Sequence, residues 1–301
     1  MGYDFYCFQF CICTCWLNKI LQNNLFIFPI NFIFVQTMEF VYHSLIKGIN
    51  NSYLINYLIN KVGVFYSCQK KNYTMKTLIV SDIHANLHAL NAVLEKDGDY
   101  DKLIFLGDVV DYGPHPKECV KFIKENADYF VRGNHDNALG FDIDCNCMGT
   151  FRKFSIATRA WHKTLLDDND IHFLRSMPTI DKIENDVISF YLAHASPQGD
   201  MFKYLDQDEI AGELEGIIAE YILVGHTHVQ YKKTIGYEMI VNPGSVGLAR
   251  DGGQACYAVY ENGEIHLKRI NYDVERTIAD LMRSPLTQSI KDGLKNILLK
   301  K

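Results

Sequence analysis

Residue types that bind metal ions follow four apolar stretches of this 301-residue chain. The first stretch, residues 77–80, leads almost directly into Asp82 and His84. The other three stretches end in Gly107-Asp108-Val109-Val110-Asp111, Gly133-Asn134-His135-Asp136 and Gly225-His226-Thr227-His228. A single histidine at the end of a strand is usually structural. The repetition of such clusters instead predicts one metal site that is built from several strand ends.

The stretches that precede these clusters have the character of buried strands. Short apolar runs without polar alternation, which are typical of strands covered on both faces, occupy residues 77–80, 103–106, 129–132 and 221–224. Open α/β sheets bind ligands at the carboxyl ends of such strands. Helical patterns at 86–96, with Asn86 as its N-cap, and at 116–125 separate the first three strands. This order predicts parallel βαβ units.

A helical insert is predicted at residues 137–178. One apolar stripe with helical spacing consists of Phe154, Ala157, Trp161, Thr164 and Leu165. Such a stripe usually packs into a core or belongs to a lid. We expect the insert to cover the site and to limit the size of the substrate.

The part of the chain after the insert alternates between strands and turns. A strand at 187–192 leads to His194, and an amphipathic helix is predicted at 207–220. Two hairpins follow, and Asn262-Gly263 is a strong turn signal for the second. A closing helix is predicted at 274–282, and residues 286–301 are expected to be a polar, lysine-rich tail.

Charge and cysteine content limit the classes of partner and compartment. After residue 74 the chain carries 25 basic and 34 acidic side chains, so it is expected to bind long nucleic acids poorly. This does not disfavour a small, nucleotide-like phosphorylated substrate. The scattered cysteines form no disulfide framework, which fits the reducing cytoplasm. Cys145 and Cys147 lack a second ligand pair at zinc-site spacing, and we expect them to be thiols on a variable loop.

The first 74 residues differ in composition from the rest, since they contain neither Ala nor Arg. We expect the natural protein to start at Met75 and residues 1–74 to be translated upstream sequence. The alternatives are a hairpin membrane anchor and a signal peptide. The apolar runs 5–16 and 26–35 are shorter than the roughly 20 residues that span a bilayer, and the amino end is not basic. No membrane association is expected unless residues 1–74 are part of the protein.

Taken in order, the polar clusters resemble the five motifs of the calcineurin-like metallophosphoesterase superfamily. The resemblance covers residues 75–270, and it rests on the four clusters above, His194 and Asn242-Pro243-Gly244-Ser245. The sequences around Asp82 and Asn242 are closest to the compact prokaryotic branch of phosphodiesterases and phosphatases. The resemblance implies an α/β fold with four layers, α/β/β/α, in which two mixed sheets face each other. The domain would span residues 75–285.

The resemblance also implies roles for individual residues. The first metal ion would be held by Asp82, His84 and His228, the second by Asn134, His194 and His226, and both would share Asp108. His135 would be the general acid or would stabilise charge on the phosphoryl group. Asp111 would orient His135 or a ligand, with Asp136 as the competing candidate.

The sequence says less about the roles of the other polar residues and of Tyr112. Arg250 and Arg132 are candidate phosphate contacts, with a surface salt bridge as the alternative for Arg132. Asn86 is expected to cap a helix rather than to bind substrate, and Tyr112 either lines the cleft or packs. Histidines without a motif are expected to be ordinary surface or packing residues; these are His88, His115, His162, His172 and His266.

The resemblance implies a hydrolase of phosphate esters, with phosphodiesters as the leading substrate class. Two divalent ions would generate a metal-bound hydroxide nucleophile, with manganese preferred over iron, zinc, nickel or magnesium. The alternatives are a dinucleoside polyphosphate hydrolase and a phosphomonoesterase of the same fold. A non-catalytic scaffold is disfavoured because the motif set is complete. An exposed apolar edge of the insert could support a homo-oligomer.

Overall fold

The computed structural model describes residues 75–184, 188–250 and 252–299. The predictions for residues 1–74, including the start at Met75, the anchor and the signal peptide, lie outside these described residues. So does Val187, at the start of one predicted strand. Within the described part of the chain, no helix is long and apolar enough to cross a bilayer.

Strands and helices alternate along the described chain. In chain order the elements are β1 (Thr77–Val80), α1 (Leu87–Asp97), β2 (Lys102–Phe105), α2 (Pro116–Asn126), β3 (Tyr129–Phe130), α3 (Asn134–Phe141), α4 (Gly149–His162), α5 (Asp168–Ser176), β4 (Ile180–Glu184), β5 (Ser189–Ala193), β6 (Tyr221–Leu223), β7 (Tyr231–Ile235), β8 (Glu238–Asn242), β9 (Ala255–Glu261), β10 (Glu264–Ile270), α6 (Val274–Arg283) and α7 (Gln288–Leu298). Asn86 caps α1 as predicted, because its side chain accepts a hydrogen bond from the Ala89 N–H.

The strands form two mixed sheets. The first has the order β10-β9-β1-β2-β3, in which β1, β2 and β3 are parallel and β9 and β10 are antiparallel. The second has the order β4-β5-β6-β8-β7, in which β5, β6 and β8 are parallel. Parallel neighbours end at the same edge of a sheet, so each sheet gathers several strand ends in one place.

Side-chain alternation in β1 explains how the layers are filled. Leu78 and Val80 pack with residues of α1 and α2, whereas Ile79 packs with residues of the second sheet. Successive strand side chains point to opposite faces, so an uninterrupted apolar strand must be covered on both. Phe190 and Leu192 of β5 complete the layer between the sheets. The predicted α/β fold with two facing mixed sheets is confirmed.

The segment that covers the outer face of the second sheet differs from the prediction. Instead of a helix at 207–220, the structure has a 3₁₀ turn at Glu209–Glu213 and irregular chain after it. Gly216 has a φ of +75°, which lies outside the helical region, and glycine is a poor helix former. Ile210 and Ile217 still pack against the sheet. The apolar spacing therefore marked a buried face but not a helix.

The insert and the carboxyl-terminal segment also differ from the prediction. The three helices of the insert begin at Asn134, inside the third motif, rather than at residue 137. The expectation of a polar tail at 286–301 is wrong for α7, because Ile290 and Leu294 of this helix are buried with Phe154. The lysines of α7 lie on the other faces of an amphipathic helix. We therefore extend the proposed domain to include α7.

Candidate metal centre

Several strand ends meet at one place, where the backbone adopts unusual conformations. Asp82 follows β1, Asp108 follows β2 and His226 follows β6, and their φ angles are +52°, +64° and +63°. A left-handed backbone costs a residue other than glycine roughly 1–2 kcal/mol. Such residues persist only where the surrounding structure holds them, and they cluster at functional sites.

Glycines in two of the motifs allow the loops to approach closely. A Cβ atom on Gly133 would lie 2.0 Å from Oδ1 of Asp108, and one on Gly225 would lie 2.1 Å from Oγ of Ser81. Both distances are far shorter than van der Waals contact, so only bare backbone fits. The loops that carry the polar side chains can therefore converge on Asp82 and Asp108.

Two buried carboxylate oxygens face imidazole nitrogens. Oδ1 of Asp82 lies 3.1 Å from Nε2 of His228, and Oδ2 of Asp108 lies 3.2 Å from Nε2 of His194. Both imidazoles direct Nδ1 at backbone carbonyl oxygens 2.7 Å away. In a neutral imidazole that donates from Nδ1, the Nε2 atom carries a lone pair. Here that lone pair faces a carboxylate oxygen. A bound cation would remove this repulsion, and histidine ligands of metals are oriented by carbonyl groups in this way.

His84 completes one group of candidate ligands with Asp82 and His228. Its Nε2 lies 3.1 Å from Nε2 of His228, and its Nδ1 lies 2.8 Å from the carbonyl oxygen of Val110. Burial, reinforced by the charges of His228 and His135, lowers the pKa of His84 to about 3. A neutral imidazole is the form that binds a metal ion.

A second group consists of Asp108, His194, His226 and Asn134. Oδ1 of Asn134 lies 3.2 Å from Nε2 of His194 and 3.1 Å from Nδ1 of His226, while its amide donates to the Cys145 carbonyl. Burial alone would lower the pKa of His194, but Asp108 outweighs it and raises that pKa to about 10. The site therefore favours a positive charge, and a divalent ion would supply it.

Asp108 lies between the two groups. Its Oδ2 is 3.2 Å from Nε2 of His194 and 4.0 Å from Nε2 of both His84 and His135, and its Oδ1 accepts the backbone N–H of His135. The structure thus brings together all the predicted ligands, namely Asp82, His84, Asp108, Asn134, His194, His226 and His228. Imidazole, carboxylate and amide donors of this kind fit manganese, iron, zinc or nickel.

His135 lies beside the ligands with its two ring nitrogens in different surroundings. Nδ1 is 2.7 Å from Oδ2 of Asp111, and Nε2 lies near the Tyr112 hydroxyl and the Cys147 thiol, at 3.4 and 3.2 Å. Burial opposes protonation, but Asp108 and the hydrogen bond to Asp111 outweigh it and raise the pKa of His135 to about 9. Nε2 also lies 4.0 Å from Oδ2 of Asp108, beside the two groups.

Asp111 rather than Asp136 contacts His135. The Asp136 carboxylate accepts the backbone N–H groups of Gly133, Asp108 and Val109 at 2.7–3.1 Å. Asp136 consequently fixes the loop after β2, on which Asp108 stands. Its competing role as the carboxylate that orients His135 is contradicted by these contacts.

The residues on the face of α4 that contacts Asp111 were not predicted from the sequence. Ser155 and Arg159 both donate to Oδ2 of Asp111, and His162 accepts the Asp111 N–H. These three side chains are buried, whereas Thr164 and Leu165 of the predicted apolar stripe are exposed. The spacing of residues 155, 159 and 162 is helical, so a polar stripe inside the insert was a usable signal.

The two arginines have different surroundings. Arg132 directs Nη1 at the carbonyl oxygen of Arg175, 2.6 Å away, and its guanidinium lies over the Phe141 ring. These contacts place it outside the ligand groups, so we no longer assign it to phosphate binding. The guanidinium of Arg250 lies 5.0 Å from the Phe151 ring centre and 5.9 Å from that of Tyr204.

Tyr204 connects Arg250 to the centre. Its ring centre lies 4.0 Å from that of His226, and its side chain remains 38% exposed. No spacing or motif marked Tyr204 in the sequence. The Cys145–Cys147 loop, which we expected to be variable, also reaches the centre, since Sγ of Cys147 is 3.2 Å from Nε2 of His135.

Buried carboxylates and imidazoles at the strand ends of two facing sheets define a metal-dependent enzyme. The family model of the calcineurin-like phosphoesterase superfamily domain matches residues 75–264, and the chain belongs to this superfamily. It is a metallophosphoesterase.

The chain is also similar to individual proteins. The uncharacterized protein MJ0912 of Methanocaldococcus jannaschii is 29% identical over 72% of this chain and 96% of its own length. Phosphodiesterase YfcE of Escherichia coli is 25% identical over 65% of this chain and 93% of its own length. The crystal structure of a metallophosphoesterase from Sphaerobacter thermophilus has a TM-score of 0.63 and 29% identity, and it covers 74% of this chain and 98% of its own.

Proposed function

We propose that this metallophosphoesterase hydrolyses phosphate diesters at a centre of two divalent metal ions. The observation that carries the proposal is the position of Asp108, which has ligand groups on both sides. One ion would be held by Asp82, His84 and His228, and the other by Asn134, His194 and His226. Asp108 would be shared by both, and two ions held in this way would supply the charge stabilisation that displacement at phosphorus needs.

We propose manganese as the preferred ion, with iron, zinc, nickel and magnesium as alternatives; the mixed donor set is compatible with manganese, iron, zinc and nickel. When bound, two such ions act as Lewis acids on a phosphoryl oxygen and acidify the attacking water. The carbonyl groups that hold His194 and His228 keep Nε2 of each ring directed at the centre. The protein's contribution is therefore the fixed orientation of buried ligands.

His135 is the proposed proton donor for the leaving oxygen. Its Nε2 lies 4.0 Å from Oδ2 of Asp108. Asp111 holds Nδ1, so Nε2 is the nitrogen that would give its proton to the leaving oxygen. The same N–H can hydrogen-bond to a phosphoryl oxygen before transfer. General acids placed in this way typically contribute a factor of 10²–10⁴.

Arg250 is the proposed contact for a non-bridging phosphate oxygen. Its side chain is exposed, and it lies beside Tyr204, which stacks on His226. A guanidinium matches a phosphate with two parallel hydrogen bonds. The rings of Tyr204 and Phe151 offer flat surfaces for a base or another aromatic leaving group. This environment supports a small, nucleotide-like substrate.

A pair of chromogenic substrates tests the proposal. The full chain is loaded with Mn²⁺ and assayed on bis-p-nitrophenyl phosphate and p-nitrophenyl phosphate. We expect turnover of the diester, a loss of about 100-fold or more in His135→Ala, and no loss in His172→Ala, which changes an exposed histidine on α5. Metal content should be the same in all three proteins.

Other outcomes separate the alternatives. Turnover of the monoester alone would identify a phosphomonoesterase and contradict the diester proposal. Inactivity on both substrates with metal bound would move the assignment to a dinucleoside polyphosphate, which is then assayed by release of nucleotide. Equal activity of His135→Ala and the wild type would exclude His135 as the proton donor.

Compartment and oligomeric state remain predictions. We propose a cytoplasmic protein on the basis of its cysteine usage. A homo-oligomer would use apolar side chains of the insert that are exposed, of which Phe141, Ile143, Met148 and Ile156 are 46–75% exposed. Light scattering of the full chain checks this, and the same chain with charged residues at these positions is the comparison.

A further inference from the structure

We propose a separate metal-binding site that is formed by His88, His115 and Asp280. His88 lies in the first turn of α1, His115 immediately precedes α2, and Asp280 lies on α6. His88 and Asp280 are 192 residues apart in the sequence, so no spacing motif could reveal the group. From the sequence we expected both histidines to be ordinary surface or packing residues.

The three side chains converge on one point. Nε2 of His88 and Nε2 of His115 lie 2.7 and 3.1 Å from the same oxygen, Oδ2 of Asp280. The two rings are nearly perpendicular, and the three ligand atoms all lie within 4.8 Å of one another. Ligands of a tetrahedral zinc ion lie about 3.3 Å apart, since each is 2.0–2.2 Å from the metal. The two N···O separations at this site therefore differ from that spacing by about 0.6 Å and about 0.2 Å.

The surroundings leave the group accessible to an ion. Oδ1 of Asp280 is paired with Arg283 at 2.6 Å, so Oδ2 is the oxygen that faces the imidazoles. The side chains of His88, His115 and Asp280 are 12%, 18% and 22% exposed. This partial exposure allows an ion to enter and leaves a fourth position for water. Two imidazoles and one carboxylate form a donor set that zinc commonly uses.

An ion at this site would join three elements that are distant in the chain. It would fasten α6 to α1 and to the start of α2. Leu281, which follows Asp280, is fully buried beside Tyr112 and Leu294. The expected effect is therefore stabilisation of the packing of α6, and it does not depend on the phosphoesterase activity.

The experiment counts zinc in the full chain. Metal-free protein is saturated with Zn²⁺ and dialysed, and the zinc content per chain is measured by atomic emission. We expect His115→Gln and Asp280→Asn each to bind one zinc ion fewer than the wild type. His172→Gln, the matched change at an exposed histidine, should bind as many as the wild type. Zinc should also raise the melting temperature by a few degrees more in the wild type than in Asp280→Asn.

Equal zinc content in all four proteins would overturn the proposal. Asp280 would then be a carboxylate that only accepts hydrogen bonds from two imidazoles. An equal loss in His172→Gln would overturn it as well. If a variant fails to fold by circular dichroism, His88→Gln replaces it, because removal of any one ligand should release the same ion. The zinc count is independent of turnover, so its failure and a failure of the hydrolysis assay are distinguishable.

Discussion

The buried ion pair between Asp111 and Arg159 yields a quantitative prediction. Nη2 of Arg159 lies 2.9 Å from Oδ2 of Asp111, and the two side chains are 8% and 0% exposed. For a charge separation of about 4 Å and an effective dielectric constant of about 20, the gross attraction is about 4 kcal/mol. Removal of one member of such a pair generally costs 3–5 kcal/mol, because the other charge stays buried without compensation.

We therefore expect Asp111→Asn to lower the free energy of unfolding by about 3 kcal/mol, and Arg159→Met to lower it by a similar amount. The double variant should lose about 3–4 kcal/mol rather than the sum, because neither charge remains. Urea denaturation followed by circular dichroism measures all four proteins, in EDTA and in Mn²⁺. If the two losses add to within about 0.5 kcal/mol, the pair is not coupled and this reasoning is wrong.

The same substitution should reduce catalysis through His135. Asp111→Asn removes the carboxylate that holds Nδ1 of His135, so we expect kcat to fall about 10–100-fold with little change in KM. The double variant with Asp111→Asn and His135→Ala should have the same kcat as His135→Ala alone, since both changes disable the same proton donor. Multiplied losses in the double variant would show that Asp111 acts on turnover by another route.

Three further predictions concern stability, each measured as the free energy of unfolding in urea. Burial lowers the pKa of His162 to about 4. As the pH falls, the unfolded chain therefore takes up this proton before the folded chain does, and the free energy of unfolding should decrease by about 3 kcal/mol between pH 6.5 and 4. His162→Gln should lack this decrease. Gly247→Ala should cost about 2 kcal/mol or more, because its Cβ would lie 1.9 Å from the Ile83 carbonyl oxygen, whereas Gly212→Ala meets no atom within 4 Å and should be neutral. Leu294→Ala, at a residue 1% exposed, should cost about 2–5 kcal/mol, and Leu299→Ala, at 41% exposed, less than about 0.5; equal values would show that α7 does not belong to the domain.

The sequence alone predicted most of the sheet strands and the candidate ligands, although β4 was not predicted. Residues 78–80 and 103–106 are apolar without alternation, and this local pattern is typical of a strand covered on both faces. The candidate ligands follow their strands by a few residues. The order of the motifs therefore also predicted which residues form the site. The hairpin turn at Asn262-Gly263 was equally local, since both residues adopt the positive φ angles that this turn requires.

Local patterns were insufficient where two structures bury the same apolar residues. Ile210 and Ile217 cover a sheet whether the chain is helical or irregular, and the conformation of Gly216 decided against the helix. The lysines of α7 concealed a buried stripe, Ile290 and Leu294, that packs with Phe154 and Leu281. In both cases the outcome depended on the packing partner, which the segment itself does not contain.

Only the tertiary structure decided which polar residues act together. Asp111 and Arg159 are 48 residues apart, and His88 and Asp280 are 192 apart, so no periodicity of a helix or strand connects them. Each pair forms because separate elements pack onto the same core. Charge pairing and ligand geometry depend on distances of a few ångströms in space, and sequence spacing fixes such distances only within one element or across a short turn.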